Sequence, residues 1–202
     1  MIGIIDIGFG NINAVINAVK SANVPCARVS DPNDKSYTGW ILPGVGKFDP
    51  YISCLKQSGF QDLLRISFVN RVPILGICVG MHALACSSEE GHESGLSFVK
   101  GKVQKIKSQF PTPHMGWNSI SSSKCDLLEG IDFDKGFYFL HSYSFNAEKK
   151  GECISVSNYG SEIQAVVNTE NCFGVQFHPE KSHKNGTILF GNFWRIVENA
   201  KA

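Results

Sequence analysis

The segment Val72-Pro73-Ile74-Leu75-Gly76-Ile77-Cys78-Val79-Gly80 restricts the folds open to this chain more than any other. A short, unbroken apolar run is the pattern of a strand buried on both faces, as in parallel sheets covered by helices. Gly76-Ile77-Cys78-Val79-Gly80 closes that run as G-x-C-x-G and leads into the helix-compatible Met81-His82-Ala83-Leu84. Glycines on both sides permit a sharp strand-to-helix turn that side chains would block. Such a turn lifts the Cys78 sulfur to the carboxyl edge of the sheet, where open α/β folds bind ligands. The following helix N-terminus favours the thiolate. The competing reading is a buried structural thiol packed as a small hydrophobe, so the neighbouring residues have to decide.

The surrounding pattern suits a parallel sheet. Ile2 to Ile7 reads as a strand ending at a glycine turn, Gly8 and Gly10, and Ile12, Val15, Ile16 and Val19 then mark one face of a helix that Asn11 can cap. Cys26–Val29 and Trp40–Leu42 read as strands, and Phe48–Gln57 and Phe60–Asn70 as helices. Strand and helix in alternation imply parallel strands joined by right-handed crossovers. The second half offers closely spaced strand candidates at 100–106, 116–121, 136–140, 153–157, 163–168 and 172–177. These are expected to add antiparallel or mixed strands to the same core. Asn185 is placed to cap a closing helix carrying Leu189, Phe193, Ile196 and Val197. With no linker or repeat, residues 1–202 are expected to form a single domain.

A second strand, Gly174-Val175-Gln176-Phe177, ends at His178-Pro179-Glu180. An imidazole there can take a proton from sulfur and return one to a leaving amine, while the carboxylate two positions on holds one tautomer. If both strands belong to one sheet, the 178 − 78 = 100 residues between them need not be a distance in space. Leu42-Pro43-Gly44-Val45-Gly46 follows another strand. Its backbone N–H groups, with that of Val79, can stabilise an oxyanion; an ordinary glycine turn is the simpler reading of the loop alone.

Composition narrows the field further. A formal net charge of +1 gives no general grip on nucleic acid or an anionic membrane. The seven cysteines form no CxxC pair and no disulfide framework, which suits a reducing cytoplasm, and neither an export signal nor a membrane span is expected.

In these motifs the chain resembles the class I, Cys-His-Glu glutamine amidotransferases, and among them the glutaminase subunits of imidazole glycerol phosphate synthases. The resemblance runs nearly end to end through Ile5–Asn11, Pro43–Gly46, Gly76–Met81, Pro113–Asn118, Phe139–Tyr143 and Phe177–Ser182. It implies an open, mostly parallel flavodoxin-like sheet flanked by helices, and a thioester between Cys78 and the glutamyl group of L-glutamine, with His178 and Glu180 completing the triad. It further implies Val45 and Val79 at the oxyanion hole, and Gly44, Gly46, His82, Glu90, Ser142 and Tyr143 around the substrate. Met115, Trp117, Asn118, Tyr138 and Lys181 would face a (β/α)₈ synthase subunit that receives the ammonia in a heterodimer, and no cofactor or metal is implied. His82 stands where the family usually has glutamine, and Ile7 where tyrosine is commoner.

Rival readings remain at this level. A paralogous glutaminase supplying another synthase, such as one making amidino sugars for surface polysaccharide, fits the departure at His82. Cys78, His82 and Cys86 would align as zinc ligands only if Cys78 lay on the helix rather than in the turn. Gly8-Phe9-Gly10-Asn11-Ile12-Asn13 suggests a nucleotide-binding turn with Asp31 beyond it, but Asn13 replaces the third glycine. A non-catalytic, partner-binding domain is a further alternative. His114 and His141 suit structural hydrogen bonding or catalysis, and Trp117 with Phe137-Tyr138-Phe139 suits a partner face or the core.

Overall fold

Strands with no polar face need cover on both sides, and the chain supplies it with helices. The computed structural model describes residues 1–34, 36–121 and 124–200. The first half runs β1 (Ile2–Ile5), α1 (Ile12–Ser21), β2 (Cys26–Val29), β3 (Gly39–Leu42), α2 (Phe48–Gln57), α3 (Phe60–Val69), β4 (Ile74–Ile77) and α4 (Val79–His82). The second runs β5 (Ser87–Ser88), β6 (Gly101–Lys105), β7 (His114–Asn118), β8 (Phe137–His141), β9 (Tyr143–Ala147), β10 (Cys153–Asn158), β11 (Glu162–Thr169), β12 (Cys172–Val175) and α5 (His183–Asn199).

A seven-stranded sheet in the order β10-β11-β12-β4-β3-β1-β2 forms the centre. Five of its strands, from β12 across to β2, pair in parallel, and β11 and β10 extend it antiparallel. Every residue of β1, β3, β4 and β12 is buried. One apolar cluster joins Ile2 and Ile4 to Val15 and Val19 of α1 and Leu189 and Phe193 of α5. Another joins Ile5 and Leu42 to Tyr51 and Leu55 of α2 and Phe60 and Leu64 of α3. Alternate side chains of β1 thus enter opposite clusters, as the period of a strand demands.

The second half adds antiparallel and mixed strands to the same core, as expected: Val103 of β6 and Phe145 of β9 join one apolar cluster and Phe137 and Phe139 of β8 the other. β10, β11 and β12 join the main sheet, whereas β5, β6 and β9 make a three-stranded sheet and β7 and β8 a two-stranded ribbon. β9 was missed although Tyr143-Ser144-Phe145-Asn146-Ala147 alternates apolar and polar residues, the period of a half-buried strand; it pairs antiparallel with β6.

Asn11 caps α1 as expected, its Oδ1 accepting from the Ala14 N–H at 3.0 Å. Asn185 does not cap α5, which starts at His183 after Ser182. Its buried side chain faces the preceding loop instead, where Nδ2 donates to the carbonyls of Asp132 and Gly136 and Oδ1 accepts from Asp132 N–H. Among the described residues, no helix is long and apolar enough to cross a membrane.

Close packing makes the elbow glycine sensitive. A Cβ on Gly80 would lie 1.9 Å from the Leu42 carbonyl oxygen. Gly80→Ala is therefore expected to destabilise the fold by about 1–3 kcal/mol. Gly191→Ala, on α5 where an added Cβ meets no described atom within 4 Å, is expected to be neutral or stabilising by up to about 1 kcal/mol. Urea denaturation of the two variants checks the contrast.

Candidate active site

The elbow follows from where β4 stops. Cys78 has φ 53° and ψ −111°, a left-handed conformation that a side chain adopts only under constraint. Its N–H donates to the Val175 carbonyl at 2.9 Å, tying the turn to β12. A Cβ on Gly76 would lie 2.6 Å from the Gly80 carbonyl oxygen, so both flanking glycines are required by close approach. The sulfur is largely buried and 3.9 Å from the Leu140 carbonyl, to which the thiol points.

β12 runs parallel to β4 with Val175 opposite Ile77, so the chain leaves both strands at the same edge of the sheet. Three residues after Val175, His178 is 1% exposed, and its Nδ1 lies 2.8 Å from Glu180 Oε1. Its N–H donates to the Tyr138 carbonyl, and the Ser182 hydroxyl donates to the His178 carbonyl, so backbone and ring are both fixed. Nε2 is buried and makes no hydrogen bond among the described residues.

Burial alone would lower the pKa of His178, but the Cys78 sulfur and the Glu180 carboxylate outweigh it and raise the value to about 10. The sulfur is thus near enough to act on the ring without completing hydrogen-bond geometry in this resting arrangement. A proton on Nε2 is favoured when sulfur is anionic. The pair is placed as a nucleophile beside its acid.

The same end of the sheet holds a cavity of about 220 Å³. Val45, Gly46, Cys78, Val79, His82 and Glu90 form one side, and Pro113, Leu140, His141, Ser142 and Tyr143 the other. Val79 begins α4, so its N–H has no use inside the helix. Gly44 does not line the cavity: a Cβ there would sit 2.4 Å from Val79 Cγ1, and its role is to let the loop close on the elbow. The Tyr51 hydroxyl secures that loop by donating to the Pro43 carbonyl at 2.9 Å. A larger open groove of about 670 Å³, along Ser119–Ser121 and β10, shares no residue with this site.

His82 differs in charge from His178. Burial lowers its pKa to about 4, opposed by a 2.8 Å hydrogen bond between Nε2 and Gln176 Oε1. It is therefore neutral at physiological pH. Gln176 was not singled out in the sequence, although a polar residue inside an apolar strand pattern signals a buried partner. Asp49 was also missed. Its carboxylate accepts from the N–H groups of His92 and Glu93, while Glu90 Oε2 accepts from the Phe48 N–H, so the Glu90 loop and the start of α2 clasp each other.

The residues expected to face a partner also come together. Met115 and Trp117 are exposed on β7, Trp117 stacks on His183 at 5.2 Å, and Lys181 Nζ lies 5.3 Å from the centre of the Tyr138 ring. Asn118 ends the same strand. Among the described residues no three His, Cys, Asp or Glu side chains are grouped to hold a metal ion.

A thiol on a constrained elbow, an imidazole locked to a carboxylate and a glycine loop on one cavity of an open parallel sheet define a cysteine-dependent amidase. Residues 3–196 match the family "Glutamine amidotransferase class-I", and the chain belongs to that family. It is 44% identical to imidazole glycerol phosphate synthase subunit HisH of Leptospira borgpetersenii, covering 96% of this chain and 98% of the relative. Subunit HisH 2 of Methanococcus maripaludis is 42% identical, with 96% and 98% covered. Among solved structures, PurLQS from Thermotoga maritima has the same fold, with a TM-score of 0.75 at 14% identity over 97% of this chain and 98% of that one.

Because Cys78 contributes to the raised pKa of His178, Cys78→Ala is expected to lower it markedly from about 10. Histidine ring titration by NMR reads this directly, and an unchanged titration contradicts the pairing. The sign for stability follows. A folded-state pKa above the ordinary 6.5 contributes stability fully present below that pH and lost as pH rises toward about 10. The stability difference between the parent and His178→Asn should therefore shrink across that window.

Proposed function

We propose that this chain is the glutaminase subunit of an imidazole glycerol phosphate synthase, hydrolysing L-glutamine and passing the ammonia to a (β/α)₈ synthase subunit in histidine biosynthesis. The observation that carries the chemistry is the meeting of Cys78 and the His178–Glu180 pair at the ends of adjacent parallel strands. The relatives at 42–44% identity, named as subunits of that synthase, carry the choice of client.

The Cys78 thiolate attacks the side-chain amide carbon of glutamine. Negative charge moves to the amide oxygen, where the N–H groups of Val45 and Val79 receive it. The tetrahedral adduct collapses as His178 gives its Nε2 proton to the leaving nitrogen, releasing ammonia and a thioester. His178, now neutral, takes a proton from water, whose oxygen attacks the thioester. Collapse of the second adduct releases glutamate and restores the thiolate beside the imidazolium. Glu180 holds the proton on Nδ1 throughout, so that Nε2 is always the nitrogen that exchanges protons. Gly46, His82, Glu90, Ser142 and Tyr143 surround the substrate.

The ammonia is used elsewhere, so the exposed Met115, Trp117 and Lys181 with the half-buried Asn118 and Tyr138 are assigned to the synthase subunit. An exposed aromatic cluster with a cation at its edge suits such an interface.

Ammonia release, measured with and without the cognate synthase subunit, tests this reading. Cys78→Ala is expected to remove at least about 10³-fold of the activity and Glu180→Gln about 10²–10⁴-fold. Ordinary turnover in Cys78→Ala overturns the mechanism. Failure of the chain to restore growth without histidine, in a strain lacking this subunit, moves the enzyme to a different client.

A further inference from the structure

Two buried histidines take no part in these steps. His114 on β7 and His141 on β8 are registered opposite each other, 2% and 6% exposed. His114 Nδ1 lies 3.0 Å from His141 Nε2, and His141 Nδ1 lies 2.8 Å from the Tyr143 carbonyl oxygen. At the far end Asn118 Nδ2 approaches His114 Nε2 at 3.4 Å.

The carbonyl fixes every proton in this row. A carbonyl oxygen only accepts, so His141 carries its hydrogen on Nδ1; a neutral imidazole has one N–H, which makes Nε2 of His141 an acceptor. His114 must then donate from Nδ1, leaving its Nε2 to accept from the Asn118 amide. A second proton on either ring is opposed by burial, which lowers the pKa to about 4 for His114 and about 3 for His141. Phe139 and Tyr159 stack on His114 at 4.6 and 4.1 Å, so the ring has no room to turn.

His141 lines the cavity, but both its nitrogens are engaged within the protein. It brings the substrate neither a free donor nor a proton acceptor. The segment it holds does reach the chemistry. The Leu140 carbonyl receives the Cys78 thiol, and Ser142 and Tyr143 form the wall beside it.

We infer that His114 and His141 are positioning residues for glutamine hydrolysis: a row of two neutral imidazoles, both protonated on Nδ1, that fixes the Leu140–Tyr143 wall against Cys78 and ties it to β7, whose Met115 and Trp117 are exposed. This inference rests on the glutaminase reading and adds to it the means by which one wall of the substrate site is set.

The test uses the complex with the cognate synthase subunit for kinetics and ¹⁵N-histidine NMR of the same chain for tautomers. Both rings are expected to be neutral with the hydrogen on Nδ1; a charged ring, or a hydrogen on Nε2 of either, overturns the inference. His114→Phe keeps the stacked ring but removes the donor. It is expected to displace the His141 signals and raise the glutamine KM by about tenfold, the scale of leaving one buried acceptor unpaired. His114→Asn places an amide N–H near the lost Nδ1 and is expected to restore both readouts. Unchanged KM in a folded His114→Phe, or His114→Asn as impaired as His114→Phe, sinks the positioning role. If His114→Phe does not fold, the parent spectrum and the His114→Asn kinetics decide. Absence of glutamine hydrolysis in the unaltered complex instead overturns the glutaminase reading itself.

Discussion

The parallel pairing of β4 with β12 is the constraint on which the site depends. Antiparallel neighbours would deliver their following residues to opposite ends of the sheet; parallel ones deliver them to the same end. With Ile77 beside Val175, the thiol and the imidazole emerge together although a hundred residues separate them in sequence. The bond from Cys78 N–H to the Val175 carbonyl makes the elbow itself a continuation of that pairing. Everything else is arranged around this edge: the glycine loop after β3 closes over it, and the β7–β8 ribbon supplies the far wall.

Environment then assigns different work to histidines that share one small volume. The Cys78 sulfur and the Glu180 carboxylate raise the pKa of His178, whereas His82 is kept neutral by burial beside an uncharged amide. The same side chain is an acid in one position and a fixed dipole in the other. The enclosing protein, rather than the imidazole, makes the distinction.

Much of this was legible from residues alone. The elbow was readable because two glycines at fixed spacing after an apolar run have few other uses, and His178-Pro179-Glu180 because it closes a second such run. The parallel sheet followed from unbroken apolar strands. Most of what escaped depended on register or on tertiary neighbours. Asn185 resembles a helix cap but answers to the 132–136 loop, whereas β9 was overlooked despite its alternating pattern. The contact of Gly44 with Val79, which a side chain would block, was not foreseen. The His114–His141 pair requires knowing that β7 and β8 lie side by side, which neither segment states by itself.

The positive φ of Cys78 has a consequence beyond catalysis. Glycine occupies that backbone region without steric cost, whereas a residue with a Cβ does not. Selection for a durable fold and selection for a working enzyme therefore pull in opposite directions at one dihedral angle. The thiol is the compromise: its conformational burden is carried by the rest of the architecture, and the nucleophile stays only while the reaction is worth that burden.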